Sequence, residues 1–546
     1  MSLFVEQLKK RVLFIDGAMG TSIHKLDLEL ERDYMGKENC TEVLLLTRPD
    51  AIQTIHEDFL KMGCDAVETD SFGSNKLVLA EYDLTDRTYE LNKLAVEVAR
   101  KACDNYSTPD KPRFVIGSVG PGTKLVTLGN TDWDTMLDSY VEQFRGLIDG
   151  GADALLIETS QDLLQVKCAV NAALDALAEK NLKPATMDQD GDIPIMVQVT
   201  IETNGTMLLG TDIGAACAAL ANFPILSIGM NCATGPTEMA EHIGFLGKHW
   251  DKAISVLPNA GLPAMVDGET VYPLTPEPFA KAVKQFVMDY GVNMVGGCCG
   301  TTPEHLKAVI DLIGDQPPVQ VKKELPAPGC TSLYTSTDYR QDASILNVGE
   351  RLNASGSRAF KRLLEADDWD EMVSLAREQL REGSHVIDVN VDYAGRDNAA
   401  DMSQLVSCLV QQVNAPLMLD STQAKTIEAG LKQAGGKCLI NSANLEDGEE
   451  KFGLMCQLAK RYNAGLVLGT IDEDPEEAMA RTADRKIEIA KRMYKLATEK
   501  YGLKGSDLMF DPLVLPISTG MERTAAAVWK PLKAHVGLPR SYPTVS

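Results

Sequence analysis

Alternation of strand-like and helical segments predicts an α/β chain: a (β/α)8 TIM barrel followed by a second, apparently truncated (β/α) barrel. Three observations carry this prediction. Short β-rich runs recur along the chain with longer segments of helical spacing between them, the pattern of repeated βα units around a parallel sheet. Eight such runs precede residue 315 and six follow residue 344. Between the two sets, Asp315–Gly329 reads DQPPVQVKKELPAPG, with four prolines and no periodicity, which is linker composition. No Gly-x-Gly-x-x-Gly follows the first run, so nothing points to a dinucleotide fold.

The first eight runs are Val12–Asp16, Ala66–Thr69, Phe114–Ser118, Ala154–Glu158, Ile195–Thr200, Ile225–Met230, Ala253–Pro258 and Met294–Gly297. Each is short and apolar, as a parallel strand buried on both faces requires. Segments such as Asp50–Met62 and Leu91–Cys103 space their apolar residues as one face of a helix. Eight repeats in about 310 residues suit a closed barrel better than an open sheet. The second set is Ile345–Val348, Val386–Val389, Pro416–Leu419, Lys437–Ile440, Leu466–Thr470 and Leu508–Phe510. The expected division is therefore residues 1–315, a linker at 316–343, and a barrel at 344–546 that is incomplete after about residue 522.

Composition limits the function classes. Hydrophobic residues make up 44% and charged residues 24%, ordinary for a globular chain. The formal net charge of −25 argues against general nucleic-acid binding, because nothing offsets phosphate repulsion. No apolar run approaches the roughly 18 residues of a membrane span, and Met1–Lys10 lacks the apolar core of a secretory signal. The 12 cysteines follow no framework spacing, which predicts reduced thiols and a cytoplasmic protein.

In such a barrel, chemistry sits where strands end and βα loops begin. The sixth run leads into GMNCATGP and the eighth into GGCCGTTPEH, placing Cys232, Cys298 and Cys299 on one rim. The sixth and eighth strands are next-but-one neighbours, so three thiols can converge. Three thiolates with an open fourth position describe a zinc site that accepts an outside ligand. A single buried cysteine, such as Cys64 or Cys217, reads instead as a small core hydrophobe. Other strand ends carry acids: Asp16, Glu68, Asp70 and Glu158. Rim carboxylates can hold a substrate ammonium, or can cap the following helix.

The motifs DGAMGT (Asp16–Thr21), ETDSFGSN (Glu68–Asn75), GSVGPG (Gly117–Gly122), GMNCATGP (Gly229–Pro236), PNAGLP (Pro258–Pro263) and GGCCGTTP (Gly296–Pro303) resemble the homocysteine S-methyltransferase domain across residues 1 to 315. The resemblance implies that Cys232, Cys298 and Cys299 bind zinc, with the homocysteine sulfur as fourth ligand. It also implies that Asp16 and Glu158 contact the amino-acid end of homocysteine. The physics agrees: a free thiol near pKa 8.5 is mostly protonated at neutral pH, and a metal ion ionises it.

In the second half, acids and amides again fall at strand ends: Asp388, Asn390, Asp420, Asn441 and Asp511. Any one of them can cap a helix, but five on one rim favour a site that hydrogen-bonds a polar heterocycle. The segments ILNVGERLNASGSRAF, VIDVNVD, PLMLDST, CLINSANLEDGEEKF and FDPLVLPISTG resemble the pterin-binding domain of the cobalamin-dependent methionine synthase family, from about residue 344 to 522. This implies that Asp420, Asn441 and Asp511 hold the pterin of 5-methyltetrahydrofolate, with Asp388 and Asn390 nearby. The motif-by-motif likeness stops at Glu522, so the seventh and eighth strands are expected to be missing. No Asp-x-His-x-x-Gly is present, so the implied methylcobalamin would be bound by a separate domain or chain. The implied function is methyl transfer to homocysteine, giving methionine, with methylcobalamin recharged from 5-methyltetrahydrofolate. The rivals are a cobalamin-independent homocysteine methyltransferase using a sulfonium or betaine donor, and an inactive zinc-binding fragment. Donor preference separates all three.

Overall fold

The computed structural model describes residues 2–266, 268–473, 480 and 482–513. The chain divides into two compact units: Met1–Ile213 with Phe223–Pro326, and Gly214–Asn222 with the chain from Ala327 onward.

In the first unit the strands are β1 (Leu13–Phe14), β2 (Ala66–Glu68), β3 (Phe114–Val119), β4 (Ala154–Ser160), β5 (Ile195–Val199), β6 (Ser227–Asn231), β7 (Ala253–Leu257), a hairpin of β8 (Ala264–Val266) and β9 (Glu269–Val271), and β10 (Met294–Val295). All but the hairpin form one parallel sheet in the order β1-β10-β7-β6-β5-β4-β3-β2. The ends meet: Ile15 bridges Ala66, and the Asp16 N–H donates to the Ala66 carbonyl at 3.1 Å. The predicted eight-stranded barrel is therefore closed. Its strands begin or end a residue or two from where the apolar runs do, because ladder pairing rather than hydrophobicity sets the ends.

The barrel core is filled from within. Leu13, Ile15, Ala66, Phe114, Ile116, Leu156, Met196 and Met294 pack together, joined by Phe4, Val5 and Leu8 of the first helix, Leu3–Lys10. That helix covers the end where the strands begin, and Phe4 meets Phe114 edge-on at 5.3 Å. Beside it Asp65 is fully buried between Arg11, at 2.6 and 2.8 Å, and Arg113, at 3.2 Å. The opposite end, where the strands finish, is left for polar groups.

In the second unit β11 (Gly329–Thr331) and β12 (Ser336–Asp338) form a hairpin inside the span read as linker. The proline-rich composition hid it. Cys330 packs with Val386, Met418, Leu439, Val467 and Met509, near the starts of the following strands, and so covers that end. The sheet is parallel and runs in chain order: β13 (Val348–Asn353), β14 (Val386–Asn390), β15 (Leu417–Asp420), β16 (Leu439–Ala443), β17 (Gly465–Gly469) and β18 (Leu508–Asp511). Six strands were expected, and six are present among the described residues. The first corrects the sequence reading. The apolar run Ile345–Val348 is not the strand: Ile345 is 61% exposed, and pairing starts only where Val348 meets Val386. The expected loss of strands after Glu522 falls outside the described residues.

Candidate functional site

The three cysteines converge as the sequence predicts. Cys232 follows β6, and Cys298 and Cys299 follow β10, with β7 lying between those strands. Cys232 Sγ lies 3.8 Å from Cys299 Sγ, and Cys298 Sγ lies 4.0 Å from Cys299 Sγ. All three sulfurs lie within 4.8 Å of one another. A tetrahedral zinc with bonds of about 2.3 Å would space its sulfurs about 3.8 Å apart, so the donor set fits zinc in both chemistry and spacing.

Local backbone makes this possible. Cys232 and Ala233 both take left-handed conformations, with φ of +60° and +56°. Such strain in residues that carry a Cβ persists only where the surroundings hold it, and it clusters at functional sites. Here the Cys232 N–H donates to Leu257 O at 3.3 Å, and the Thr234 N–H to Cys232 O at 2.7 Å. Cys298 is fixed through its backbone: its N–H donates to Pro258 O at 2.8 Å, and Thr301 Oγ1 donates to its carbonyl at 2.6 Å. Gly300, at φ +78°, lies where a Cβ would strike the Tyr272 ring. Tyr272 follows the β8–β9 hairpin and favours the Cys299 thiolate. The thiols compete for charge. Contacts with Cys232 and Cys298 favour the Cys299 thiolate, while contacts with Cys232 and Cys299 push Cys298 up.

Acids line the same mouth. Asp16 is buried, accepts the Glu68 N–H at 3.1 Å, and stands 3.9 Å from His56 Nδ1. Glu158 accepts from Ser118 Oγ at 2.5 Å and from Asn231 Nδ2 at 2.9 Å. Glu68 Oε1 is buried with no hydrogen-bond partner. Burial pushes all three carboxyls up, Glu158 to about 7. The mutual charge adds to this: Glu158 and Asp16 raise Glu68 further. His56 faces Asp16 alone; among the described residues Glu68 and Glu158 have no basic partner of their own, and buried carboxylates of that kind make a receptor for an ammonium group. Asn231 and Ser118 escaped the sequence reading. Asn231 stood just past the end assigned to the sixth run, and only proximity to Glu158 marks either residue.

The second unit gathers a different set at the ends of its strands. Asn353 Nδ2 donates to Asp388 Oδ2 at 3.0 Å and to Asp420 Oδ2 at 3.2 Å, and Asn390 Nδ2 donates to Asp420 Oδ2 at 3.0 Å. Burial, then the Asp420 charge, pushes Asp388 up to about 7. Asp388 Oδ1 is buried without a partner. Asn441 pairs in register with Asp420, and both line a cavity of about 110 Å³ with Ser442, Asn444 and Phe452. Asp511 is not brought into this network. It lies two strands beyond β16, on β18, and its carboxylate takes the Leu513 N–H at 2.7 Å. Asn353 was missed because the strand it ends was placed too early.

Comparison with known proteins adds to this geometry. The family model described as homocysteine S-methyltransferase matches residues 13–313, and that of pterin binding enzymes matches residues 349–543. The second match runs past Glu522, where the motif-by-motif likeness stops. The chain is 42% identical to a methionine synthase of Mycobacterium tuberculosis (strain ATCC 25618 / H37Rv) over 99% of its own length and 44% of that protein. It is 41% identical to a methionine synthase of Mycobacterium leprae (strain TN), with the same coverage of 99% and 44%. It thus spans less than half the length of these curated relatives. Among solved structures, the metallated homocysteine methyltransferase MmuM of Escherichia coli aligns with 57% of this chain and 100% of its own, at 21% identity and a TM-score of 0.45.

Proposed function

The chain belongs to the homocysteine S-methyltransferase family, and from that membership we propose that its first barrel transfers a methyl group to the sulfur of homocysteine, giving methionine. The observation that carries this reading is the placement of three thiols beside three buried carboxyl groups in one barrel mouth, one of which, Glu68, has an oxygen without a partner. Homocysteine has a group for each end. Its ammonium suits Asp16 and Glu158, with Glu68 alongside, and its sulfur suits the thiol cluster. Zinc on Cys232, Cys298 and Cys299 would supply a Lewis acid that keeps the substrate sulfur ionised at neutral pH. The residues of this chain supply orientation. Methyl transfer to sulfur is an in-line displacement, governed by position more than by proton transfer.

For the second unit we propose pterin binding, as the site for 5-methyltetrahydrofolate. Asp388, Asn390, Asp420 and Asn441 are its residues, with Asn353 as the donor that ties the two acids together. An acid such as Asp388 with an unpartnered buried oxygen can accept from the amino edge of a pterin. Asp511 is kept as a more distant member of this proposed set. The methyl carrier is methylcobalamin held by a separate domain or chain, recharged from 5-methyltetrahydrofolate. No described helix is long and apolar enough to cross a membrane, and the setting proposed is cytoplasmic.

The test is donor preference. Reduced, zinc-loaded protein is given homocysteine with methylcobalamin, with a sulfonium donor, or with betaine, and methionine is measured. Methionine from methylcobalamin is expected. Methionine only from a sulfonium or betaine would replace the donor in this reading. None from any donor, with zinc bound, would leave an inactive zinc-binding chain.

A further inference from the structure

Asn231 ends β6, one residue before Cys232, and is fully buried. Its amide nitrogen lies 2.9 Å from Glu158 Oε2, 2.9 Å from Thr159 Oγ1 and 4.0 Å from Cys298 Sγ. Its amide oxygen accepts the Thr159 N–H at 2.8 Å. That backbone donor settles the orientation of the amide, because an NH2 group cannot face an N–H.

The strand it grips is irregular. Pairing of β4 with β5 slips between Ile157 and Ser160, and Thr159 sits at φ +53°. A β-branched residue in the left-handed region is strained, and bulges beside active sites re-aim side chains. The residue re-aimed here is Glu158. Since β5 separates β4 from β6, the amide reaches across a strand end to hold it. The strap is itself anchored, with Thr200 Oγ1 donating to the Asn231 carbonyl at 3.0 Å. One amide therefore faces a carboxylate of the acid cluster on one side and a sulfur of the thiol cluster on the other.

We propose that Asn231 is a positioning residue that couples the two ends of the pocket, setting the distance between the ammonium-binding carboxylate and the thiol cluster. It thereby selects a thiol that also carries an amine. This rests on the homocysteine reading given above.

The informative variant is Asn231→Asp. It keeps an acceptor for the Thr159 N–H but puts a carboxylate against Glu158 in place of a donor. Asn231→Ala, which loses both, is the companion. Reduced full-length chains are loaded with zinc, metal content is measured, and binding of homocysteine and of propane-1-thiol is followed by calorimetry. Expected for Asn231→Asp are unchanged zinc content, homocysteine binding weakened at least about tenfold, as loss of a hydrogen bond to a charged group implies, and propane-1-thiol binding within about twofold. Homocysteine binding within twofold of wild type would overturn the proposal. So would equal weakening of both thiols, or loss of zinc from both variants, which would mark a role in the metal site or fold alone. A zinc-loaded wild type that binds neither thiol would refute the underlying homocysteine reading, and this proposal with it.

Discussion

Removing one sulfur is the sharpest test of the thiol cluster. In Cys298→Ala, the backbone bonds to Pro258 and Thr301 survive, because they use the Cys298 N–H and carbonyl. The change therefore deletes one sulfur of the proposed zinc site, with its 4.0 Å contacts to Cys299 and Asn231, and leaves the backbone in place. The wild-type sulfurs already stand at 3.8 and 4.0 Å, close to the edge of a zinc–thiolate tetrahedron, so metal entry requires little rearrangement. Loss of an outer-shell partner alone weakens metal binding about 10–100-fold. Loss of a direct ligand is expected to exceed 100-fold. With free zinc at about 1,000 times the wild-type Kd, bound metal stabilises the folded protein by about 4 kcal/mol. At that same zinc concentration the variant retains at most about 1.4 kcal/mol. The assay is zinc stoichiometry and chelator competition on reduced protein, followed by denaturant unfolding with and without zinc. About one zinc per chain is expected in wild type. A variant that binds zinc within tenfold of wild type, or a reduced wild type that takes none, would refute the argument.

Glu158→Gln should keep its zinc but bind homocysteine about 10–100-fold more weakly, since it trades an ionic acceptor for a neutral one; calorimetry on the zinc-loaded protein reads this directly. In the second unit, burial pushes Asp388 up to about 7. A carboxyl that holds its proton more tightly when folded contributes its full stability below its unfolded pKa, near 3.8, and loses it as pH rises through about 7. That span corresponds to about 4 kcal/mol. Asp388→Asn should therefore be the more stable protein at pH 8, by up to that amount, with the gap closing toward pH 4; equal pH dependence of the two in denaturant unfolding would contradict this. Asp65→Ala should destabilise the first unit by about 3–5 kcal/mol, because it strands Arg11 and Arg113 around a buried vacancy. Its zinc content at low temperature should match wild type.

Much of this protein is legible in one dimension. Parallel strands buried on both faces must be apolar runs, so all eight barrel strands could be located from composition alone. The thiol cluster was legible because a barrel places every strand end on one rim, which turns GMNC and GGCC into neighbours without further knowledge. Legibility failed where apolar content and pairing disagree. Ile345 is apolar yet exposed, and the strand lies further on, at Val348–Asn353, which concealed Asn353. The hairpin at Gly329–Asp338 sits in a proline-rich span whose composition gave no sign of it.

What the sequence determined by itself is the architecture and the three cysteines that converge on one rim, because period and strand-end position are properties of the chain taken locally. What only the tertiary structure decided is which polar groups share a mouth. Asp16 raises Glu158, and both raise Glu68; Asn231 spans a strand to grip Glu158, and Asp511 stays out of the network that Asn353 organises. Those outcomes depend on strand order and on a bulge at Glu158–Thr159. Hydrogen bonds and charges act over a few ångströms of space, whatever the separation along the chain.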